Sequence, residues 1–418
     1  MEPLIVYADL DTFFVSVQRL LNLSLVGKPV IVGGDPQGRG VVAACSYEAR
    51  AYGVKSGMSA SDAYRLCPQA IFTRGHGEYY GYYSRLVKEL LLAFTPEVHP
   101  QSIDEFACDF SGMERIYPDP AALARRIREK VYLATGLPMS IGLATNSLVA
   151  KVAAGEAKPD GFRIVPPGEE ARFLAPLPLS RLPGIGPVTE ETLAAMGLRT
   201  LGEVAAFPVR LLKAALGRNG EILHQKARGK MVHTVSEEPV TKSLGHETTF
   251  RDVADPRRLL GILAGLTAEA GFRLRAGGFT TRLITLKLRY RDFQTVSMQR
   301  QVPPLFADED IFTTVKELLP RLFTRRVGVR LVGVRLSRLV RDLHQLPLFE
   351  WERRMQQKNL CAALDRIHHR FGLESITPLA TARSERAPFP LPPLAGPAAV
   401  VEAGATVSPR IGCRASSS

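Results

Sequence analysis

Short apolar runs and amphipathic stretches alternate in the first part of the chain. Leu4 to Ala8 is an apolar run that ends at Asp9, a pattern typical of a buried strand with a carboxylate at its end. Val98 to Phe110 alternates around a polar centre and predicts a hairpin. A further strand is expected at 139–144, and helices are expected at 79–94, 121–132 and 147–157. This order predicts an α+β sheet with its helices on one face.

The pattern changes after Pro166-Pro167-Gly168, which marks a boundary. Residues 169–232 predict helices interrupted by glycines, and 236–239 predict a linker. Alternation returns over 240–342 and predicts half-buried strands with basic outer faces, separated by two helices. The strands are expected at 282–290 and 327–339, and the helices around 256–276 and 309–323.

The C-terminal part has two different patterns. Residues 352–371 predict an amphipathic helix with one apolar face. That face consists of Leu360, Leu364, Ile367 and Phe371. From Ser384 onward the chain is rich in Pro, Ala, Ser and Gly, a composition that predicts disorder.

Composition narrows the class of partner. The chain has 418 residues, 45% of them apolar, and a net charge of +13, so several cores and a polyanionic partner are expected. Residues 240–345 hold 19 Lys+Arg and 10 Asp+Glu, a local excess of 19 − 10 = +9. A polyanionic partner is nucleic acid or an anionic membrane surface. For this basic segment, the alternative interpretation is a face that is only solvated.

The chain has no run of 18 apolar residues, so no membrane span is predicted. Five scattered cysteines and an N-terminus unlike a signal peptide predict the cytoplasm.

Two acidic groups follow apolar patterns. Asp9-Leu10-Asp11 closes the first strand, and Asp104-Glu105 lies in the predicted hairpin. Carboxylates on rigid strand ends suit Mg²⁺, and two such ions serve phosphoryl transfer. Paired acids also occur as solvated surface groups, so this pattern alone leaves both interpretations open.

Several motifs, in chain order, resemble those of the Y-family DNA polymerases, in particular the bacterial DNA polymerase IV branch. The resemblance extends from residue 4 to about residue 371. The motifs are Asp9-Leu10-Asp11-Thr12-Phe13-Phe14, Tyr47-Glu48-Ala49-Arg50 followed by 52–58, Ser102-Ile103-Asp104-Glu105-Phe106, Lys158-Pro159-Asp160-Gly161 and Pro183-Gly184-Ile185-Gly186.

This resemblance implies a right-hand polymerase that adds deoxynucleotides to a primer end. Its parts would be a ferredoxin-like palm, small fingers, a helical thumb with a helix-hairpin-helix, an α+β little finger, a clamp-binding peptide with a C-terminal helix, and a disordered tail. The expected boundaries are 1–10 with 74–165 for the palm, 11–73 for the fingers, 166–233 for the thumb, 240–342 for the little finger, 343–383 for the peptide and helix, and 384–418 for the tail.

The resemblance also implies residue roles. Two Mg²⁺ ions would be held by Asp9, Asp104 and Glu105, with the Leu10 carbonyl assisting, while Asp11 would be structural. The triphosphate would be held by Tyr47, Arg50 and Lys158, although Arg50 alone also suits a surface ion pair. Phe13 and Phe14 would line the nucleotide site. Phe14 would be the steric gate against a 2′-hydroxyl, and the Phe13 ring is expected in the core.

Two segments are expected to contact DNA. Gly184 and Gly186 would let the hairpin backbone approach a phosphate, although a plain helix–helix turn has the same pattern. The basic segment 240–342 resembles the little finger. Its expected phosphate contacts are Lys242, Arg282, Arg289 and Arg335.

A short apolar peptide follows the last predicted strand. Its sequence resembles the motif that binds the bacterial sliding clamp, and an apolar linker is the alternative. The expected contacts are Gln345, Leu346, Leu348 and Phe349, with Pro347 keeping the peptide extended. A monomer without membrane attachment is expected.

The sequence departs from the family's pattern at two places. Ala44 stands where the family often has a hydroxyl residue, and Gly155-Glu156-Ala157 departs from the usual Ser-Asp-containing pattern; both predict weaker nucleotide contacts.

Three other functions predict different sequence features. A catalytically inactive, clamp-bound scaffold would be expected to have lost the acids. A nucleotide cyclase would not need the hairpin or the basic domain. A DNA glycosylase would require an Asp just after the hairpin, where 187–196 contain none.

Overall fold

The structure is a computed structural model that describes residues 3–230, 241–341, 351–373 and 375–377. The chain divides into a first unit, Met1–Glu238, and a second unit, Pro239–Ser418. Within the described ranges, no helix combines the length and the apolar character needed to cross a bilayer.

Strands and helices alternate in the first unit up to residue 174, and helices follow. In chain order the elements are β1 Ile5–Leu10, α1 Phe13–Leu21, a 3-10 helix Leu23–Leu25, β2 Val30–Gly33, β3 Val42–Cys45, α2 Tyr47–Arg50, α3 Ala60–Leu66, β4 Ile71–Thr73, α4 Gly77–Leu92, β5 Val98–Pro100, β6 Glu105–Asp109, α5 Pro120–Thr135, β7 Met139–Ala144, α6 Ser147–Glu156, β8 Phe162–Ile164, α7 Glu170–Leu174, a 3-10 helix Leu179–Arg181, α8 Pro187–Ala195, α9 Leu201–Ala206, α10 Val209–Leu216 and α11 Arg218–Ala227.

The central sheet of the first unit has the strand order β5-β6-β1-β7-β8. β1 lies in the middle and pairs antiparallel with β6 and β7, and its six residues are all buried. Because successive side chains of a strand point to opposite faces, this burial means that both faces of the sheet are covered at β1. Val6 and Ala8 belong to one core with residues of α4 and α5, whereas Ile5 and Tyr7 belong to a second core with residues of α6.

The prediction that the helices cover one face of this sheet is therefore wrong. α6 packs on the face opposite to α4 and α5, and it does so closely, because Gly142 of β7 has no side chain. A Cβ there would overlap the carbonyl oxygen of Ala150 in α6. A continuous apolar strand does not reveal which helix covers which face.

A smaller sheet, β3-β2-β4, lies between β1 and β5 in the sequence. Together with α2 and α3 it surrounds its own small core, which includes Ile31, Val42 and Val54. Ala44 of β3 is partly buried against the core of the larger sheet.

The second unit is built on one antiparallel sheet of order β11-β10-β12-β9. Apolar residues of β10 and β12, such as Ile284 and Val334, pack with α12 and α13. Its elements are β9 Ser243–Val253, α12 Pro256–Ala276, β10 Phe279–Tyr290, β11 Thr295–Leu305, α13 Asp308–Leu322, β12 Val329–Arg341 and α14 Trp351–Phe371.

The apolar face predicted for the C-terminal helix is only partly correct. In α14, Leu360 is 61% exposed and Phe371 is 65% exposed, while Cys361 is buried. The helix is attached instead by an ion pair, in which the Arg275 guanidinium of α12 contacts Asp365 at 2.8 Å. Arg275 is itself mostly buried, so removing Asp365 would leave a buried charge with one partner fewer.

Candidate active site

The acids predicted at two strand ends meet in the central sheet. Asp9 of β1 is the register partner of Glu105 of β6. Beside this pair, the Leu10 N–H donates to the carbonyl oxygen of Asp104 over 3.0 Å. Directly opposed residues of an antiparallel pair have their Cβ atoms about 5 Å apart. Antiparallel pairing therefore places these three acids in one neighbourhood.

Two lysines pair with two of these three acids. The Lys158 Nζ lies 2.7 Å from Asp9 Oδ1. The Lys151 Nζ donates to both carboxylate oxygens of Glu105, over 2.6 and 2.7 Å, and to the Tyr7 hydroxyl over 3.1 Å. Each of the two strand acids thus faces a cation of the chain itself.

Burial governs the electrostatics of the site. Asp9 is 8% exposed, and desolvation raises its pKa to about 6. The Lys158 ammonium opposes that rise, whereas the neighbouring charges of Glu105 and Asp104 add to it. Burial and the Glu105 carboxylate also raise the pKa of the Tyr7 phenol, so this hydroxyl stays protonated.

The donor set fits a hard divalent cation. Asp9, Asp104 and Glu105 supply carboxylate oxygens, which Mg²⁺ prefers, and Leu10 adds a carbonyl group. In the described arrangement, lysine ammonium groups hold two of these carboxylates, and the Asp104 carboxylate accepts from Ser102 Oγ over 2.5 Å. In this arrangement, no three acidic, histidine or cysteine side chains of the described residues form a group that could hold a metal ion.

Asp11, the second acid of the first motif, is 1% exposed. Its Oδ2 accepts from Ser140 Oγ over 2.8 Å and from the Asp160 N–H over 2.7 Å. Its Oδ1 accepts from the Tyr47 hydroxyl over 3.3 Å. These bonds occupy the Asp11 carboxylate with protein donors, in keeping with the structural role expected for it.

The residues expected at the triphosphate converge on the same end of the sheet. Tyr47 and Arg50 both belong to α2, whose first turn is capped by the Ser46 hydroxyl. The Arg50 guanidinium stacks over the Tyr47 ring, 5.1 Å from its centroid. Tyr47 contacts Asp11, and Lys158 contacts Asp9. The structure thus brings these three residues to the acids.

The two adjacent phenylalanines have different surroundings. Phe13 is 3% exposed and belongs to the core. Phe14 is only partly buried and stacks on Tyr80, with ring centroids 4.1 Å apart. Of the two rings, only that of Phe14 has a substantial surface outside the core.

Lys151 is the site residue that the sequence interpretation missed. It lies in α6, where six neighbouring apolar residues are buried, and it is the one basic residue of that helix. A single lysine inside an apolar helical run was the available signal, because a partly buried ammonium group favours a carboxylate partner.

The predicted hairpin joins a 3-10 helix to α8. Gly184 has a φ of 105°, a conformation that side chains disfavour, and Gly186 is the N-cap of α8. Lys226 of α11 donates to the Pro183 carbonyl over 3.2 Å, which places a positive charge beside the turn.

The four expected DNA contacts of the second unit do not form one group. Arg289 and Arg335 lie on the same face of the sheet, since Arg335 pairs with Thr285 and the odd residues of β10 share that face. Arg282 lies at a register irregularity between Thr281 and Leu283, and Lys242 is exposed just before β9. The prediction of a strongly basic outer face is too simple. Hydroxyl and amide side chains dominate this face, including Thr295, Ser297, Gln299, Gln301, Ser243 and Thr249.

The predicted clamp peptide, Gln345 to Phe349, lies outside the described residues, as does the C-terminal tail from 384. Gly155-Glu156-Ala157, which departs from the family's pattern, lies within the described residues. Glu156 forms an ion pair with Arg181 at 3.0 Å.

Relatives resemble the chain over most of its length. A DNA polymerase IV of Dehalococcoides mccartyi is 38% identical over 375 residues, which cover 89% of this chain and 96% of the relative. A DNA polymerase IV of Methanoculleus marisnigri is 42% identical over 340 residues, which cover 80% and 94%.

Family models match in the same order. The impB/mucB/samB family matches residues 8–155, the IMS family HHH motif matches 167–198, and the impB/mucB/samB family C-terminal domain matches 241–348. A solved chimera described as a Y-family DNA polymerase, built from Dbh and Dpo4, superposes with a TM-score of 0.73 at 27% identity. It covers 81% of this chain and 100% of that chain.

The chain belongs to the Y-family of DNA polymerases.

Further solved structures of Y-family polymerases agree. The insertion ternary complex of Dbh DNA polymerase has a TM-score of 0.57 at 26% identity and covers 81% of this chain and 100% of that chain. The architecture is therefore the right-hand arrangement of palm, fingers, helix-hairpin-helix thumb and little finger. The protein is a DNA-directed DNA polymerase of the translesion kind, a class of nucleotidyltransferase that generally uses a divalent metal ion.

Proposed function

We propose that this polymerase joins a deoxynucleotide to a primer 3′ end at Asp9, Asp104 and Glu105, which hold two Mg²⁺ ions together with the Leu10 carbonyl. The observation that carries the proposal is the register pairing of Asp9 with Glu105, beside the hydrogen bond from Leu10 to Asp104. Addition forms a bond from the primer 3′-oxygen to the α-phosphorus and breaks the bond to pyrophosphate; two such ions would activate that hydroxyl and stabilise the charge on the pyrophosphate.

Protein side chains bind and orient the incoming nucleotide. Arg50 offers a planar fork that suits two phosphate oxygens, and Lys158 offers a point charge. The Tyr47 hydroxyl adds a hydrogen bond. For Lys158 to contact a triphosphate it leaves Asp9, which frees that carboxylate for a cation. The partly buried ring of Phe14 lies under the sugar and excludes a 2′-hydroxyl.

The two units provide the DNA grip. The hairpin at Gly184 and Gly186, with Lys226 beside it, binds a backbone phosphate without reading sequence. In the second unit, Arg289 and Arg335 contact further phosphates from one face of the sheet. We assign 1–10 with 74–165 to the palm, 11–73 to the fingers, 166–233 to the thumb and 240–342 to the little finger.

Small residues in the fingers support low fidelity. Ala44 and Gly57 lie in this part of the chain, and Gly57 is followed by Met58, whose carbonyl accepts from the Val42 N–H over 2.9 Å. Short side chains leave space around a nascent base pair, so distorted template bases are tolerated. We assign no proofreading activity to the chain. One copy carries the acids and the nucleotide residues within its first unit, which supports a monomer. Four described free cysteines support a cytoplasmic location.

Primer extension tests the proposed chemistry. The wild type and an Asp104→Ala plus Glu105→Ala variant are compared with and without Mg²⁺. Extension by the wild type is expected only with the cation, and the variant is expected to lose at least about a thousandfold in rate, since several kcal/mol of charge stabilisation disappear. Circular dichroism confirms that both proteins are folded. Equal rates for the two proteins contradict the assignment, and a wild type that binds primer but never extends it supports the inactive scaffold.

The clamp peptide is proposed from its sequence alone. Leu348 and Phe349 fill an apolar pocket of the bacterial sliding clamp, while Gln345 and Leu346 contact its rim. A pull-down with purified clamp compares the wild type with Leu348→Ala plus Phe349→Ala, and loss of clamp binding is expected. An Arg353→Ala variant, altered in α14 just beyond the peptide, serves as the control that keeps binding. Full retention by the double variant removes the proposal.

A further inference from the structure

The Asp11 carboxylate connects three separate parts of the first unit. Tyr47 belongs to α2, Ser140 to strand β7 of the central sheet, and Asp160 to the turn that follows α6. All three donors are uncharged, and the carboxylate is almost fully buried. A buried carboxylate is tolerated when hydrogen bonds satisfy it, and its bonds are stronger than those between neutral groups.

One of these donors is itself proposed to hold the triphosphate, and a second lies close in sequence to another proposed contact. Tyr47 contributes its own hydroxyl. The Asp160 N–H lies two residues after Lys158, so its bond to Asp11 fixes the turn that carries this lysine. Neither Tyr47 nor Lys158 is close to Asp11 in sequence. One carboxylate therefore sets the distance between two nucleotide contacts.

The turn after Lys158 is held on its other side as well. The Arg128 guanidinium donates to the Asp160 carbonyl oxygen, to Asp160 Oδ1 over 2.6 Å and to the Met139 carbonyl over 3.0 Å. Asp160 has a φ of 45°, and a Cβ at Gly161 would overlap the Ala157 carbonyl oxygen. Because the backbone of this turn has little freedom, loss of the bond to Asp11 is expected to displace Lys158 together with Asp160.

We propose that Asp11 is a positioning residue for the triphosphate, acting through Tyr47 and the Lys158 turn. The inference rests on the proposed nucleotide contacts of these two residues. Asp11 itself contacts neither nucleotide nor metal. Its loss weakens nucleotide binding and leaves the chemical step nearly intact.

Single-turnover insertion separates these effects, because it gives the nucleotide Kd and the maximal rate independently. Asp11→Asn keeps one acceptor oxygen and is expected to raise the Kd about tenfold, while the rate changes by less than about twofold. Asp11→Ala is expected to raise the Kd further. Asp109→Asn, on β6 at the end remote from Glu105, is the matched control with an unchanged Kd.

A double-mutant cycle with Tyr47→Phe shows whether the two residues act together. If Asp11 holds Tyr47, the rise in Kd of the double variant is smaller than the product of the single rises. Independent multiplication of the two effects, or an unchanged Kd in Asp11→Asn, overturns the inference. An unchanged Kd in Tyr47→Phe and in Lys158→Gln instead contradicts the proposed nucleotide contacts themselves.

Thermal melting checks that Asp11→Asn is folded at the assay temperature. Should it melt below that temperature, Ser140→Ala replaces it, because it removes one of the donors that orient the same carboxylate. A Kd about threefold above that of the wild type is then expected, in line with one lost hydrogen bond. An unchanged Kd in Ser140→Ala overturns the inference.

Discussion

Phe14 and Tyr80 stack face to face, with ring centroids 4.1 Å apart and planes inclined by 14°. The Tyr80 hydroxyl accepts from Gln18 Nε2 over 2.9 Å, so the supporting ring is itself held in place. Tyr80 is 4% exposed and part of the core. The partly exposed Phe14 ring therefore rests on a fixed surface, which supports the steric gate proposed for it.

Removing the gate is expected to admit ribonucleotides. In Phe14→Ala the space under the sugar becomes large enough for a 2′-hydroxyl, and discrimination against ribonucleotides is expected to fall at least about a hundredfold. Single-nucleotide insertion with a deoxynucleotide and its ribonucleotide counterpart measures the ratio. Phe13→Leu is the control. It replaces a core ring by a smaller side chain, so it should lower the melting temperature without changing the discrimination against ribonucleotides. Equal discrimination in Phe14→Ala and the wild type would refute the assignment.

If Asp9 holds a divalent cation as proposed, a proton competes with that cation for its carboxylate. Because burial raises its pKa to about 6, the carboxyl group is ionised above that pH and protonated below it. The Mn²⁺ affinity of the free enzyme is therefore expected to be constant above about pH 7 and to fall about tenfold per pH unit below about pH 6. Electron paramagnetic resonance of free Mn²⁺ measures it. Asp9→Asn should bind weakly at every pH, and a wild-type affinity that stays constant down to about pH 5 contradicts the prediction.

Lys151 is expected to oppose cation binding in the enzyme without substrate. Its ammonium group holds both oxygens of Glu105 and repels a second cation. Lys151→Gln is therefore expected to bind Mn²⁺ several-fold more tightly than the wild type, whereas Lys151→Arg, which keeps the charge, should bind about as the wild type does. The same resonance titration measures both. Weaker binding by Lys151→Gln would show instead that the ammonium orients Glu105 for the metal.

Two glycines near α6 test how closely this helix must pack. A Cβ at Gly142 would overlap backbone atoms of Ala150 and Ala154, so Gly142→Ala is expected to lower the free energy of unfolding by at least about 3 kcal/mol. Gly155, within α6, faces open space, and Gly155→Ala should raise it by about 0.5–1 kcal/mol. Chemical denaturation measures both. A similar effect of the two substitutions would contradict the close packing.

The arginines of the second unit are expected to differ in their salt dependence. DNA binding should weaken steeply with salt, and Arg335→Gln should reduce the slope of log K against log salt by about 0.9, the value for one lost phosphate contact. Arg282→Gln, outside the row of Arg289 and Arg335, should leave the slope unchanged. Fluorescence anisotropy with labelled primer-template measures both slopes. Equal slopes for all three proteins would remove Arg335 from the interface.

Local patterns in the sequence were sufficient to predict most strands and helices and the position of the acids at strand ends. Successive side chains of a strand point to opposite faces, so an unbroken apolar run before Asp9 indicates burial on both faces, while the alternation around Glu105 indicates two different faces. They were therefore enough to predict two strand ends with carboxylates. The order of the motifs then indicated the family, which the relatives and family models confirmed.

Contacts between distant segments required the tertiary structure. The sequence of α6 shows that the helix is apolar, yet only the packing of α6 against Gly142 shows which face of the sheet it covers and that Lys151 reaches Glu105. Likewise, Leu360 fits an apolar face by its spacing, but the ion pair between Arg275 and Asp365 sets how α14 docks and leaves Leu360 exposed. Spacing along a chain determines which residues share a face of one element. Which partner that face meets depends on the free energy of packing the whole unit, which no single segment contains.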